Sequence, residues 1–185
     1  MTGRRRVYRA SPTRQKRGSG APEATGANPT ARGTCGTKRH LLTDGRGVPL
    51  ATVISGANRN DMKQRADLLD ARLHDGPADP PGDGPHLCLD RGYDAAACRA
   101  EATARGYTPH IPPKRSAAHP LPAPGDPARH PPRRWVVAAA HSWFNRFRRL
   151  LIRWEKKADN DLGFVPLAAL LIIYRKVRHA RTPFG

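Results

Sequence analysis

Acidic residues are scarce in this 185-residue chain: 15 Asp and Glu stand against 33 Lys and Arg, a formal charge of +18. No aspartate precedes Asp44, and Glu23 is the one acid before it. Cysteine is nearly absent. The three thiols, Cys35, Cys88 and Cys98, form no Cys-x-x-Cys pair and cannot all pair with one another, which excludes a disulfide scaffold and fits reduced thiols in a cytoplasmic protein. Aromatics make up only 6% and are not interleaved with the basic N-terminal run, so no stacking platform for single strands is evident. Long apolar runs are missing too. The stretch from Phe164 to Tyr174 is broken by Pro166 and is too short to span a bilayer. The opening MTGRRRVYRA has no apolar core of a secretory signal, so neither membrane nor export is expected.

A cationic surplus of this size calls for an anionic partner, and nucleic acid is the usual one, because each neutralised phosphate releases counterions. The bland alternative is a coding bias that inflates Arg and Pro throughout. The length suits one domain with a real core. With 17 Gly, 19 Pro and 38% hydrophobic residues, part of the chain is expected to be loop.

Residues 1–36 are basic with almost no apolar periodicity and are expected to be irregular, with at most a remnant strand near Val7 and Tyr8. Residues 37–55 read as a hairpin: Lys38 to Thr43, a turn at Asp44-Gly45, and a β-branched return from Val48 to Ile54. Asn60-Asp61 can start a helix over 61–74, with Met62, Ala66, Leu69 and Leu73 on its apolar face. His86 to Asp90 reads as a buried strand ending in an acid. Asp94 can cap an Ala-rich helix that stops at Gly106, and Tyr107 to Ile111 is a further strand. Eight prolines between Pro112 and Pro132 mark a long loop.

The last quarter is expected to be helical. Trp143, Phe147, Leu150 and Trp154 form an apolar stripe, opposed by a cationic stripe of Arg146, Arg149 and Arg153. Phe164 to Val177 is apolar nearly all round and is expected to be a buried helix, with Pro166 in its first turn. The element order implies an α/β fold, a mixed sheet flanked by helices.

Three groups of residues resemble one family. They are Gly36 to Leu50 with Ser55 to Asp61; Leu89-Asp90-Arg91-Gly92-Tyr93-Asp94; and Arg134-Trp135-Val136-Val137 with Trp143 to Leu150 and Arg153-Trp154-Glu155. Together, over roughly residues 11–178, they resemble the DDE transposases of bacterial insertion sequences, of the insertion-sequence-five type. The resemblance implies an RNase H-like fold, double-stranded DNA as partner (transposon ends and target), a possible homodimer, and Mg²⁺-dependent cleavage and strand transfer. In that chemistry two Mg²⁺ ions, held by three acids, neutralise charge on the attacked phosphodiester. The cationic residues expected to contact DNA are Lys38, Arg39, Arg91, Arg134, Arg146, Arg148, Arg149 and Arg153.

The acids do not all follow. Asp90 matches the second of the three and is the expected catalytic and metal-binding residue, although a turn cap would also explain an aspartate there. Counting back from Ser11 to Gly18, which resembles the family segment after the first acid, places that acid at Arg9, whose charge repels a divalent ion. Ala138 stands where the family's Arg-Trp-Val-Val-Glu pattern has its glutamate, and Glu155, about 25 Å further along a helix, cannot replace it. The helical segment that precedes the first acid in the family is expected to be missing as well. The expectation is a truncated, degenerate transposase that cuts no DNA. The alternatives are a non-catalytic basic DNA binder and a fragment that folds poorly.

The domain division expected is an irregular segment over 1–36, a DDE domain over 37–178 and a tail over 179–185. His110, His119 and His130 have no spacing that suggests zinc. Asp44 reads as turn chemistry and Asp61 as a helix-start acid. Cys88 reads as buried and inert. His141 and Asn145 share a helical face with Ala138 and could line the same cleft.

Overall fold

The computed structural model describes residues 7–17, 23–29, 34–72, 84–113 and 135–181. Its centre is a seven-stranded mixed sheet. β1 (Val7–Arg17) runs antiparallel to β3 (Cys35–Thr43), with Arg9 opposite Thr43 and Lys16 opposite Gly36. β3 continues antiparallel into β4 (Pro49–Gly56), Lys38 lying opposite Ser55. On the other side of β1 lies β5 (His86–Cys88), parallel, with Arg9 opposite Cys88. β6 (Thr108–His110) is parallel to β5. Two short strands complete the sheet: β2 (Gly26–Ala27) against the start of β3, and β7 (Ile152–Arg153) against the end of β1. Three antiparallel strands followed by parallel ones, flanked by helices, form an α/β fold consistent with the RNase H-like architecture.

Helices cover both faces. On one side, α1 (Arg65–Asp70) and α2 (Ala96–Ala104) close a core of Tyr8, Ala10, Leu42, Leu68, Leu87, Leu89, Cys98 and Ala102. On the other, α3 (Trp135–Asn145), α4 (Arg148–Leu151) and α5 (Ala158–Arg181) pack Val137, Ala140, Phe144, Leu150, Val165 and Ile172 over Leu41. Alternation along a strand sends neighbours to opposite faces. Tyr8 and Ala10 therefore belong to the first core, while Arg9 points to the side of α3.

The hairpin forms where expected. Asp44 organises its turn: Oδ1 accepts from the backbone N–H groups of Arg46 and Val48, both at 2.8 Å, and Gly47 takes φ +79°. Asn60 caps the next element, accepting from the Met62 N–H at 3.0 Å. That element is a 3₁₀ turn (Asp61–Gln64) running into α1; Leu69 is buried as expected and Met62 packs partly buried against the core, but Arg65 and Leu68 are buried in place of Ala66. Leu73 lies outside the described residues. α2 starts one residue later than expected, with Ala95 at its N-cap; Asp94 instead binds Arg99 at 2.6 Å. Gly106, at φ +77°, ends it as expected.

Three expectations are overturned. The segment that lacked periodicity holds β1, a strand inside the sheet; β3 and β5 supply its hydrogen-bonding partners, so it needs no amphipathic pattern of its own. The single helix through Trp143 to Trp154 is broken: α3 ends at Asn145, α4 is one turn, and residues 152–153 leave as β7. Arg153 is therefore buried while Trp154 faces solvent. Finally, α5 is not buried all round. Val165, Ala168 and Ile172 pack inward, but Leu167, Leu170, Leu171, Tyr174 and Val177 form an exposed apolar stripe. No helix among the described residues is long and apolar enough to cross a membrane.

β3 carries an unusual load of polar groups inside the fold. His40, 1% exposed, shares a 2.8 Å hydrogen bond with Ser55 Oγ. Burial pushes its imidazole down to about 4, against the pull of Asp61 and with some help from Lys38. The unfolded chain takes up this proton near its ordinary value of 6.5, and the folded chain only near 4. His40 thus leaves stability intact above pH 6.5 and costs it as pH falls toward 4. Between pH 6.5 and 5 the expected loss is about 2 kcal/mol. Urea melts of the parent and His40→Gln, compared pH by pH, isolate it; parallel curves would refute the assignment.

Candidate functional site

Asp90 lies at the exit of β5, two residues past Cys88, where the chain enters a 3₁₀ turn (Arg91–Tyr93). It is half-buried, and it caps that turn: Oδ1 accepts from the Gly92 N–H at 2.8 Å. A Cβ on residue 92 would meet the same oxygen at 2.9 Å, so the absence of a side chain at Gly92 permits this close approach. Cap and candidate ligand are thus one residue, with one carboxylate oxygen already holding a backbone donor.

Arg9 stands on β1 beside the strand that delivers Asp90, paired in register with Cys88. It is 6% exposed. Its guanidinium reaches toward the β3–β4 turn, where a Cβ on Gly45 would lie 3.6 Å from Nη1. Ala138 is exposed on α3, the helix that packs across β1 and β3. Its expected companions separate, since His141 is buried and Asn145 is exposed. Cys88 is half-buried. Among the described residues, no group of three or more His, Cys, Asp or Glu side chains is placed to hold a metal ion.

A pair that spacing did not flag lies on β5 and β6, the strand that delivers Asp90 and its neighbour. His86 on β5 and His110 on β6 stack at 4.7 Å between ring centroids, with Nδ1 and Nε2 2.5 Å apart. His86 shares the sheet face of Cys88 and Arg9 by strand alternation. Only the pairing of two strands far apart in sequence brings the rings together, so nothing in the linear order could have indicated it.

The arginines and lysine expected on DNA divide into two sets. Lys38 is buried and binds Asp61 at 2.6 Å and the Arg59 carbonyl at 2.8 Å. Arg39 is fully buried, donates to the Leu150 carbonyl at 2.6 Å and lies over the Phe144 ring. Burial lowers it to about 10, partly offset by Asp161, so it remains a cation at neutral pH. Arg153, also fully buried, donates to the Glu23 carbonyl at 2.6 Å and to Thr37 Oγ1 at 3.1 Å, and stands 4.0 Å from Asp161. The expectation that these three face DNA is corrected: their charges are committed to internal acceptors. Arg91, Arg146, Arg148 and Arg149 are exposed, Arg149 with a 2.6 Å ion pair to Glu155. Arg134 lies outside the described residues.

The family described as the transposase DDE domain matches residues 11–173. The chain belongs to the DDE transposases. Its likeness extends to "Putative transposase for insertion sequence element IS402" of Burkholderia cepacia, 38% identical over 161 residues, covering 84% of this chain and 71% of that protein. DDE transposases use divalent metal ions, and the residues around Asp90 here do not fit one. Mg²⁺ keeps several waters and needs more than one carboxylate to hold it. Asp90 has one oxygen engaged by Gly92, and among the described residues no two further carboxylate, imidazole or thiol groups gather with it.

Proposed function

We propose that this chain is an RNase H-like transposase domain that binds double-stranded DNA and neither cuts nor joins it. One observation supports the reading: Arg9, which the resemblance puts at the first acid position as it puts Ala138 at the third, lies on β1 opposite Cys88, two residues before Asp90. Phosphodiester attack needs charge neutralised on both the attacking and leaving oxygens. A lone carboxylate does not assemble the Mg²⁺ pair that would do this. The proposed DNA contacts are Arg91, Arg146, Arg148 and Arg149, with Arg134 retained on its motif alone. A cytoplasmic setting suits the three free thiols.

The test uses DNA carrying the element's terminal repeats, incubated with the chain and Mg²⁺ or Mn²⁺. The expected result is retention of the DNA in a gel shift and no strand breakage. Cleavage that disappears in Asp90→Ala would overturn the inactive reading. Binding is expected to weaken linearly on a log–log salt plot, and Arg148→Gln to lower the slope by about 0.9. A slope near zero in the parent would remove the DNA reading altogether. The homodimer is proposed on a separate surface, the apolar stripe of α5, which carries Asp159 toward one end and Arg175 and Arg178 toward the other, an order that suits antiparallel pairing with a second copy. Sedimentation of Leu170→Glu against the parent reports on it.

A further inference from the structure

Trp154 is 52% exposed, although the apolar stripe expected from the sequence would have buried it. It is not a loose end. Arg153, immediately before it, is anchored inside the fold, and its Nη2 donates to the Lys156 carbonyl at 3.5 Å. The same carbonyl accepts from the Glu23 N–H at 3.4 Å, and the Ala158 N–H donates to Glu23 Oε2 at 2.9 Å. Residues 153, 156 and 158 are thus tied to Glu23, and the exposed Trp154 side chain lies on this hydrogen-bonded segment. Its neighbours in the chain are charged. Arg148 and Arg149 precede it on α4, Lys156 and Lys157 follow it, and all four are exposed. The intervening acid, Glu155, is taken up by Arg149 at 2.6 Å. Leu151, 47% exposed, lies three residues upstream.

We propose that Trp154 is a stacking platform for an unpaired base at a DNA end, with Arg148, Arg149, Lys156 and Lys157 holding the phosphates on either side. This deepens the DNA-binding reading and rests on it. Lone exposed apolar side chains are ordinary, but an exposed indole on a hydrogen-bonded segment, flanked along the chain by exposed cations, offers what single strands need: a π-face for the base and charge for the backbone. Intact duplex hides its base faces, so it would use the cations and leave the indole idle. The partner is therefore DNA with a frayed or overhanging end. Trp135 is 67% exposed as well, but the residues just before it are not described, whereas both flanks of Trp154 are.

The experiment is fluorescence anisotropy with two labelled duplexes of the same core sequence, one blunt and one with a short oligothymidine overhang. The parent is expected to prefer the overhang. Trp154→Ala is expected to lose about tenfold in affinity for the overhang and less than twofold for the blunt duplex, in keeping with the usual contribution of a stacked base. Trp154→Phe is expected to keep most of the preference, and, with Trp135 and Trp143 still in place, to lose the emission quenching that accompanies overhang binding. A matched thermal melt shows that each variant is folded. Equal binding of the overhang by parent and Trp154→Ala overturns the proposal, as does an equal loss on both duplexes. If the parent binds neither duplex, the DNA-binding reading itself falls, which separates the two failures.

Discussion

Arg153→Ala is expected to unfold about 10 °C below the parent, a loss of about 3–5 kcal/mol. The guanidinium is fully buried, as is Asp161, 4.0 Å from its Nε. It ties three parts of the chain that sequence keeps far apart: the Glu23 carbonyl, the Thr37 hydroxyl on β3 and the Asp161 carboxylate on α5. Truncation leaves these acceptors without that donor in a place where water does not replace it, and the desolvation already spent on Asp161 is no longer offset to the same degree. Against a total stability of roughly 5–15 kcal/mol this is a large fraction. Arg149→Ala supplies the comparison. It removes the same charge four residues away, but its side chain is 61% exposed and its Glu155 pair is screened. The expected change there is below about 1 kcal/mol. Thermal melts of both variants decide the matter. Equal, small shifts would mean that Arg153 is not the internal tie described.

The second large effect is a gain. Arg9→Asp combined with Ala138→Glu is expected to create a divalent-cation site together with Asp90. Arg9 stands beside the strand that leads to Asp90, and Ala138 is exposed on the helix that crosses β1. Three carboxylates can meet the demand of a hard cation, which one cannot. Without metal, the new acids repel one another and the double variant is less stable than the parent. With Mn²⁺ in about hundredfold excess over its dissociation constant, linkage returns about 2.7 kcal/mol, read as a rise in melting temperature of about 5–10 °C. The parent is expected to shift by less than about 1 °C. Adding Asp90→Ala to the double variant removes the response, and nicking of supercoiled DNA should follow the same pattern. A folded double variant with no metal response would show that Arg9 and Ala138 do not occupy the positions assigned to them. Ala138→Glu alone tests the helix side should the buried Arg9→Asp change prevent folding.

Most local structure was legible because the relevant forces are local. Asp44-Gly45 specifies a turn by side-chain acceptance and a positive φ nearby, Asn60 caps by reaching its own second neighbour, and Gly106 ends a helix because it lacks a Cβ. The motif around Asp90 belongs to the same class: a carboxylate, a glycine that lets the backbone approach it, and a short turn. That Arg9 and Ala138 stand where the family has acids is what the resemblance implies, and the metal response of the double variant tests it.

Only the tertiary structure decided which charges face water. Lys38, Arg39 and Arg153 look like Arg148 and Arg149 in the sequence, yet the first three are buried against carbonyls and carboxylates brought from more than twenty residues away. Of β1 only a remnant near Val7 and Tyr8 was expected; its full length is set by backbone pairing with β3 and β5, partners far off in sequence. The break after Asn145 likewise follows from β7 joining β1, a gain that no helical period records. What the linear order determined was chemistry set within a few residues. What the fold decided was desolvation, which depends on everything that comes to lie around a group.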